Sequence, residues 1–300
     1  MGVMRTAGLA WALVCGVAAG AAADVTAGSP VSLSTQPSMN VFRRYAADTA
    51  AMTAFYGQVL GLAPMAPVGL GGGNQMIRFR VGTSEIKLQA TPAAKDYPSG
   101  AIKDATGLRV FTFFFPDEAA LTARFTAHGY PAPQFRKTGP AESRALVLDP
   151  ASQWVELVVR PGAPAETFDR LEVGLTVSNL ERSRAFYRRF VGLEELPPVE
   201  DPVVGATKYP FRHGTTTVNV WSFGTGLPAN TRSAGIQYVV RDATAVDAKA
   251  KEYGATIDQP LRQSFANLLT VWLADPDGIT NYFAQILRRT DAAPPSASSR

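Results

Sequence analysis

Asp48-Thr-Ala-Ala-Met-Thr-Ala-Phe-Tyr-Gly-Gln-Val-Leu-Gly-Leu62 returns 131 residues later, without a gap, as Asn179-Leu-Glu-Arg-Ser-Arg-Ala-Phe-Tyr-Arg-Arg-Phe-Val-Gly-Leu193. Each run opens on a residue suited to capping a helix, since the Asp48 or Asn179 side chain can accept from a free backbone N–H. Apolar residues then recur at helical spacing: Met52, Phe55, Tyr56, Val59 and Leu60 in one run, Phe186, Tyr187, Phe190 and Val191 in the other. Gly61 and Gly192 supply C-terminal stops. The chain repeats itself, and the repeat sets the frame for everything else.

Further landmarks keep the same order in both copies. Asp117–Gly129 and Asp242–Gly254 read as a second helical pair at an offset of 125, and Asp149-Pro150 mirrors Asp275-Pro276 at 126 as a turn before a last strand. Alternating stretches between them read as strands: Ser84–Gln89, Arg109–Phe115, Ala145–Leu148, Leu157–Arg160, Glu172–Val177, Gly235–Val240 and Leu269–Ala274. Strand–helix–strands, twice per half, gives an α+β class with helices on one face of mixed sheets. The halves run over 40–160 and 168–288, joined by Pro161-Gly-Ala-Pro-Ala165, with an Ala/Pro/Ser-rich tail over 289–300.

The first 23 residues stand apart. One basic residue, Arg5, precedes the apolar Ala7–Ala19, and Ala21-Ala22-Ala23 leads into Asp24. A basic start, a short apolar stretch and a small-residue ending read as a secretory signal peptide, which predicts export and a periplasmic or extracellular mature protein. No basic stop-transfer flank follows, so no stable membrane association is expected after cleavage. The chain has 29 Lys and Arg, and losing Arg5 leaves 28 against 25 Asp and Glu. These charges are scattered in singles and pairs, which argues against a nucleic-acid footprint. Cys15 is the only cysteine and lies in the leader, so a disulfide, a thiolate metal site and a cysteine nucleophile are all excluded from the mature chain.

The Val-x-Asn-Leu-Glu-Arg-Ser-x-x-Phe-Tyr run at 177–187, the Gly-Leu behind it and Asp275-Pro-Asp-Gly278 resemble the vicinal oxygen chelate superfamily, which includes glyoxalases, extradiol dioxygenases and bleomycin-resistance proteins. The resemblance covers nearly all of the mature chain. It implies paired βαβββ modules, each half of the chain curving its own two modules into a sheet around a cleft. In the family's enzymes a divalent metal in the cleft acts as a Lewis acid. At the three ligand positions that the resemblance implies, the ungapped repeat puts Val41 and Glu172, counting back from Asp117 and Asp242 gives Val110 and Gly235, and the last strands supply Glu156 and Tyr282. Each half thus keeps one carboxylate, too few donors for Zn, Mn, Fe or Mg. Neither histidine falls at a ligand position: His128 is expected as a structural residue on the apolar face of its helix, His213 as an exposed hairpin residue. Glu194-Glu195 is expected as a solvated loop, and Gly69–Asn74 as a hairpin tip.

Strand parity then selects an inward-facing set. It comprises Arg43, Thr112, Trp154 and Glu156 in the first half, and Glu172, Thr176, Asn219, Trp221, Gln237 and Tyr282 in the second. A buried carboxylate needs compensation, so Arg43 is expected to pair with Glu156, and Glu172 to hydrogen-bond Tyr282. Trp154, Trp221 and Tyr282 would wall a planar organic ligand that Asn219 and Gln237 orient. The favoured function is a cofactor-free small-molecule binding protein that works alone or as a dimer. The alternative is a glyoxalase-like lyase or isomerase, or a ring-cleaving dioxygenase, with an atypical metal site; Glu156 and Glu172 would share it if the halves faced one another.

Overall fold

A computed structural model of the chain describes residues 39–46, 48–71, 74–90, 101–231, 233–264 and 267–287. The leader at 1–23 and the tail at 289–300 lie outside them. Four modules follow one another. The first holds β1 (Asn40–Tyr45), α1 (Thr49–Ala54), β2 (Ala63–Gly71), β3 (Asn74–Val81) and β4 (Ser84–Ala90). The second holds β5 (Gly107–Phe115), α2 (Glu118–Ala127), β6 (Arg136–Gly139), β7 (Glu142–Leu148) and β8 (Trp154–Val159). The third holds β9 (Leu171–Thr176), α3 (Leu180–Ala185), the short β10 (Glu194–Glu195) and β11 (Val199–Asp201), then β12 (Ala206–His213) and β13 (Thr216–Trp221). The fourth holds β14 (Ala234–Val239), α4 (Ala243–Tyr253), β15 (Thr256–Ser264), β16 (Leu268–Ala274) and β17 (Thr280–Ile286).

All four helices start where a side chain satisfies a free N–H: Asp48 accepts from Ala50, Asp117 from Ala120, Asn179 from Arg182, and Asp242 from Thr244 and Ala245. Beyond α1 and α3 the coil widens by one residue per turn. Leu60 N–H reaches Phe55 C=O and Gly192 N–H reaches Tyr187 C=O, the i→i+5 spacing of a π-bulge. Both widened turns drive the Phe-Tyr pair of the repeat fully into the core.

The pairing of modules corrects the expectation that each half closes its own sheet. One sheet runs β15-β16-β17-β14-β1-β4-β3-β2 and joins the first module to the fourth. The other runs β10-β12-β13-β9-β5-β8-β7-β6, with β11 on β12, and joins the second to the third. The seams are antiparallel, β1 against β14 and β5 against β9. The chain changes sheet between β4 and β5 and again between β13 and β14, whereas Pro161–Ala165 links two modules of one sheet. The halves recognised in sequence are repeats, but not separately closed units.

Helices and the apolar faces of both sheets merge into one core that includes Val41, Phe55, Phe113, Phe125, Val173, Phe190, Ile236 and Phe283. Within each half the two sequence motifs meet there. Tyr56 Oη donates to Asp149 Oδ2 at 2.9 Å, and Tyr187 Oη to Asp275 Oδ2 at 2.9 Å. The other carboxylate oxygen of each aspartate accepts two backbone N–H groups of its own turn. A carboxylate sealed in apolar surroundings needs such donors, which explains why Phe-Tyr and Asp-Pro recur together.

The two latches differ in one respect. Fully buried Arg43 stands 3.5 Å from Asp149 Oδ2 and also donates to Gln153 Oε1 and Ala151 C=O. The expected Arg43–Glu156 pair is therefore wrong, because β1 presents Arg43 to the core with Val41 and Tyr45. Tyr45 lies three residues before the cap Asp48, whereas Val177, its core-facing counterpart, lies two before Asn179. The first half has one extra residue there, and a one-residue slip exchanges the two faces of a strand. Among the described residues no cation pairs with Asp275 in the same way. Burial lifts its pKa to about 7, with Asp277 adding repulsion and the hydrogen bonds opposing both.

Candidate functional site: two unequal cups

Each sheet turns its other face away from the core, and strand register fixes which side chains share it. In the sheet of modules two and three, Glu156, Thr112, Glu172 and Thr217 form one row across β8, β5, β9 and β13. Thr176 is in register with Trp221 on the same face. Seven of the inward candidates therefore lie in this cup: Thr112, Trp154, Glu156, Glu172, Thr176, Asn219 and Trp221. Glu156 and Glu172 do come from different halves and meet in one row, as a shared site would require.

The row is already occupied by the protein's own cations. Arg144 Nη2 from β7 lies 2.7 Å from Glu156 Oε1, and the same guanidinium grips Asp201 in a fork at 3.3 and 3.2 Å. Thr112 Oγ1 donates to Glu156 Oε2 at 2.9 Å. Glu172 accepts from Asn219 Nδ2 at 2.8 Å and from Arg170 at 2.9 Å, so the expected bond to Tyr282 does not form; Tyr282 belongs to the other sheet. Burial pushes the Glu156 pKa up against the pull of Arg144. For Asp201 burial also acts upward, but Arg144, the Val204 and Val203 N–H groups and Lys208 outweigh it and the pKa falls.

Asp201 and Val204 come from the segment around β11, which folds into this cup. Val204 packs with Ile102, Val110 and Trp221, and Trp154 borders the cluster. Trp221 rests on Gly174, where a Cβ would overlap its ring, and its Nε1 donates to Thr176 Oγ1 at 2.8 Å. It is a filler of the closed cup and not a stacking wall.

The sheet of modules one and four carries the remaining two candidates in a more open cup. Gln259, Trp272, Tyr282, Gln237 and Asn40 form one row across β15, β16, β17, β14 and β1. Arg78, Lys87, Phe42, Gly235 and Thr280 form the adjacent row. Trp272 and Tyr282 stack at 4.6 Å between centroids and 14° between planes, and Phe42 closes against both at 5.8 and 5.6 Å. Arg44 lies over the Phe42 and Trp272 rings at 5.3 and 5.7 Å. Gln237 Oε1 accepts from Lys87 Nζ at 2.5 Å and from Asn40 Nδ2 at 3.1 Å. Glu85 stands 3.5 Å from Lys87 and 3.2 Å from Arg78. Burial lowers the Lys87 pKa, and Glu85 opposes that shift.

By register, Asn40 corresponds to Glu172, Gln237 to Thr112, Tyr282 to Glu156 and Lys87 to Asn219. Val41, Val110 and Gly235 are displaced from the convergent positions. Alternation around Ile86 and Leu88, both core residues, was the signal that could have placed Glu85 and Lys87 on the cup face. Phe42 and Arg44 were missed through the slip in β1, whereas alternation with the core residues Val271 and Leu273 was the signal that could have placed Trp272 on the cup face. His128 is exposed, not packed on the apolar face of its helix, and His213 is half-buried at the end of β12. Glu194 and Glu195 pair with β12 and with Arg212, Arg184 and Arg188 rather than forming a free loop.

The residues present do not fit the divalent metal that the fold implies. Among the described residues no group of three or more His, Cys, Asp and Glu side chains converges. In the closed cup Arg144 faces the Glu156 oxygen that a metal would need; in the open cup the convergent row offers one carboxylate, Glu85, and the Lys87 ammonium already holds Gln237 Oε1. A fixed cation within hydrogen-bonding range of the donors opposes a second, divalent one.

The sequence matches the family model of the Glyoxalase/Bleomycin resistance protein/Dioxygenase superfamily over residues 38–157 and 168–283. Among solved structures, glyoxalase I from Zea mays superposes with a TM-score of 0.64 at 20% identity, over 82% of this chain and 91% of that one. A putative dioxygenase from Bacillus subtilis subsp. subtilis str. 168 gives 0.62 at 16% identity, over 86% of both chains. At such identities the likeness is one of fold. Comparison with curated protein sequences gives no match.

Proposed function

This chain belongs to the Glyoxalase/Bleomycin resistance protein/Dioxygenase superfamily, and we propose that within it the protein is a metal-independent binder of a small planar organic molecule, held in the cup of modules one and four. One observation carries the reading. The stacked Trp272–Tyr282 pair continues along one row into Gln237 and Asn40, and the Lys87 ammonium of the adjacent row holds Gln237, where a Lewis-acid enzyme would need converging anionic donors. Flat aromatic surface with a few fixed polar groups is how a protein holds a planar ligand. The cup of modules two and three is structural in this reading, because its polar groups are committed to one another and β11 lines it. Binding is the role that the geometry supports, since fold alone does not choose among the family's activities.

An enzyme with an atypical metal site is favoured by one feature: among the described residues Asn219 Oδ1, beside Glu172, is buried without a hydrogen-bond donor. A single preparation separates the two readings. We also propose that the protein is exported, so protein recovered from the exported fraction should begin at Asp24 by mass. After dialysis it should carry only substoichiometric transition metal. Planar aromatic compounds should raise its melting temperature equally with and without a chelator, and Trp272→Ala should abolish the shift. One tightly retained Mn, Fe or Zn ion per chain would overturn the binding reading in favour of the enzyme.

A further inference from the structure

The charges of the open cup carry the reading one step further. Arg78 and Lys87 share a row with Phe42, Arg80 and Glu85 occupy the neighbouring positions on β3 and β4, and Arg44 lies over the aromatic wall. Against Arg78, Arg80 and Lys87, among the described residues, the ladders of β3 and β4 place one carboxylate, Glu85, on this face. Glu85 is shared: it lies within ion-pair distance of both Arg78 and Lys87. The Lys87 side chain is largely covered, its Nζ anchored from beneath by Gln237, which also holds Asn40. An ammonium has three donors. Those of Lys87 have one firm acceptor in Gln237 and a looser contact to Glu85, which leaves hydrogen-bonding capacity on the cup side. A half-buried cation with half a counter-ion favours an incoming anion.

On this geometry, and resting on the binding role proposed above, we infer that the ligand is an aromatic carboxylate whose ring lies on the Trp272–Tyr282–Phe42 wall and whose carboxylate meets Lys87. The register fixes the arrangement. Lys87 is the direct neighbour of Phe42 across the β1–β4 ladder, and Phe42 touches both members of the stack. The aromatic cluster and the ammonium therefore lie side by side on one face of the sheet. A neutral analogue of the same shape keeps the stacking and loses the charge-assisted bond, the stronger kind of hydrogen bond.

Isothermal titration of the full mature protein with 2-naphthoate and with the neutral isostere 2-naphthamide tests this directly. The carboxylate should bind more tightly than the amide by about tenfold or more. Lys87→Met should bring naphthoate down to the level of the amide, Lys87→Arg should keep the preference, and Trp272→Ala should weaken both probes. Retained amide binding in Lys87→Met shows that the variant is folded. Equal affinity for the two probes in the wild type, or an undiminished preference for the acid in Lys87→Met, overturns the carboxylate assignment and leaves the aromatic-binding role standing. If neither probe binds the wild type, the binding role in this cup falls, and the carboxylate assignment with it.

Discussion

Arg43 and Asp275 show how a single side chain separates two copies of one motif. In the first half a buried aspartate has a guanidinium 3.5 Å away; in the second, the equivalent aspartate has hydrogen-bond donors, a like charge in Asp277 and a pKa raised to about 7. The consequence for stability has a definite sign. Unfolded, Asp275 ionises near the ordinary 3.8; folded, it keeps its proton to about 7. Between those values the native state holds the proton that the unfolded state has released. The contribution of Asp275 is thus complete below the lower value and is lost as pH rises to the upper one, at about 1.4 kcal/mol per pH unit. Above pH 7 it changes no further. Asp275→Asn, which cannot ionise, should remove this component. Denaturant melts of both proteins across that range should show the wild type losing stability relative to the variant, and parallel pH curves would refute the assignment.

Secondary structure was largely legible because caps, apolar spacing and Asp-Pro turns all act locally. The helices at Glu118–Ala127 and Ala243–Tyr253 and the strands around 84–90 and 171–176 stand where the pattern put them. The cup faces were legible only as far as the spacing between elements could be trusted. Along β5, β8, β14 and β17 parity and repeat offset agree, and along β9 and β13 parity alone suffices, so Thr112, Glu156, Glu172, Asn219, Gln237 and Tyr282 reach a cup face. Before α1 one additional residue breaks the offset, and Arg43 turns to the core. The segment that fills the second cup was illegible for a different reason. Nothing in Val199–Asp201 itself announces that Asp201 will cross to Arg144 on β7 of another module. That contact makes its own prediction. Asp201 Oδ1 also holds the Val203 and Val204 N–H groups, so Asp201→Ala should release the segment locally. Hydrogen exchange should quicken at Val203 and Val204 while the β5 and β9 amides keep their protection. Uniform acceleration throughout the sheet would instead mark Asp201 as a global stabiliser.

The pairing of modules could not be read from the repeat, because an internal repeat says which segments are alike and not which ones touch. Its effect is that neither half can close a sheet alone: β1 needs β14 and β5 needs β9. A fragment spanning 24–164 would expose both seams as unpaired edges, a geometry that invites pairing with another chain. Light scattering should find that fragment as a dimer or larger species, and its mixture with 165–300 should give a one-to-one complex. A monomeric first half that unfolds cooperatively would show that the seams are dispensable.

The same seams impose an order on biosynthesis. Asn40 finds its cross-strand partner Gln237 only after 197 further residues, while the two middle modules meet across the brief Pro161–Ala165 connection. A ribosome or translocon feeding the polypeptide from its amino end therefore releases the first module with no neighbour to dock on, and the interior pair can assemble before it. The cup proposed to bind the ligand lies in the sheet finished last. A nascent chain cut short between β13 and β17 would carry the finished sheet of modules two and three and an unfinished sheet of modules one and four, with an apolar strand edge left for a holding chaperone to shield.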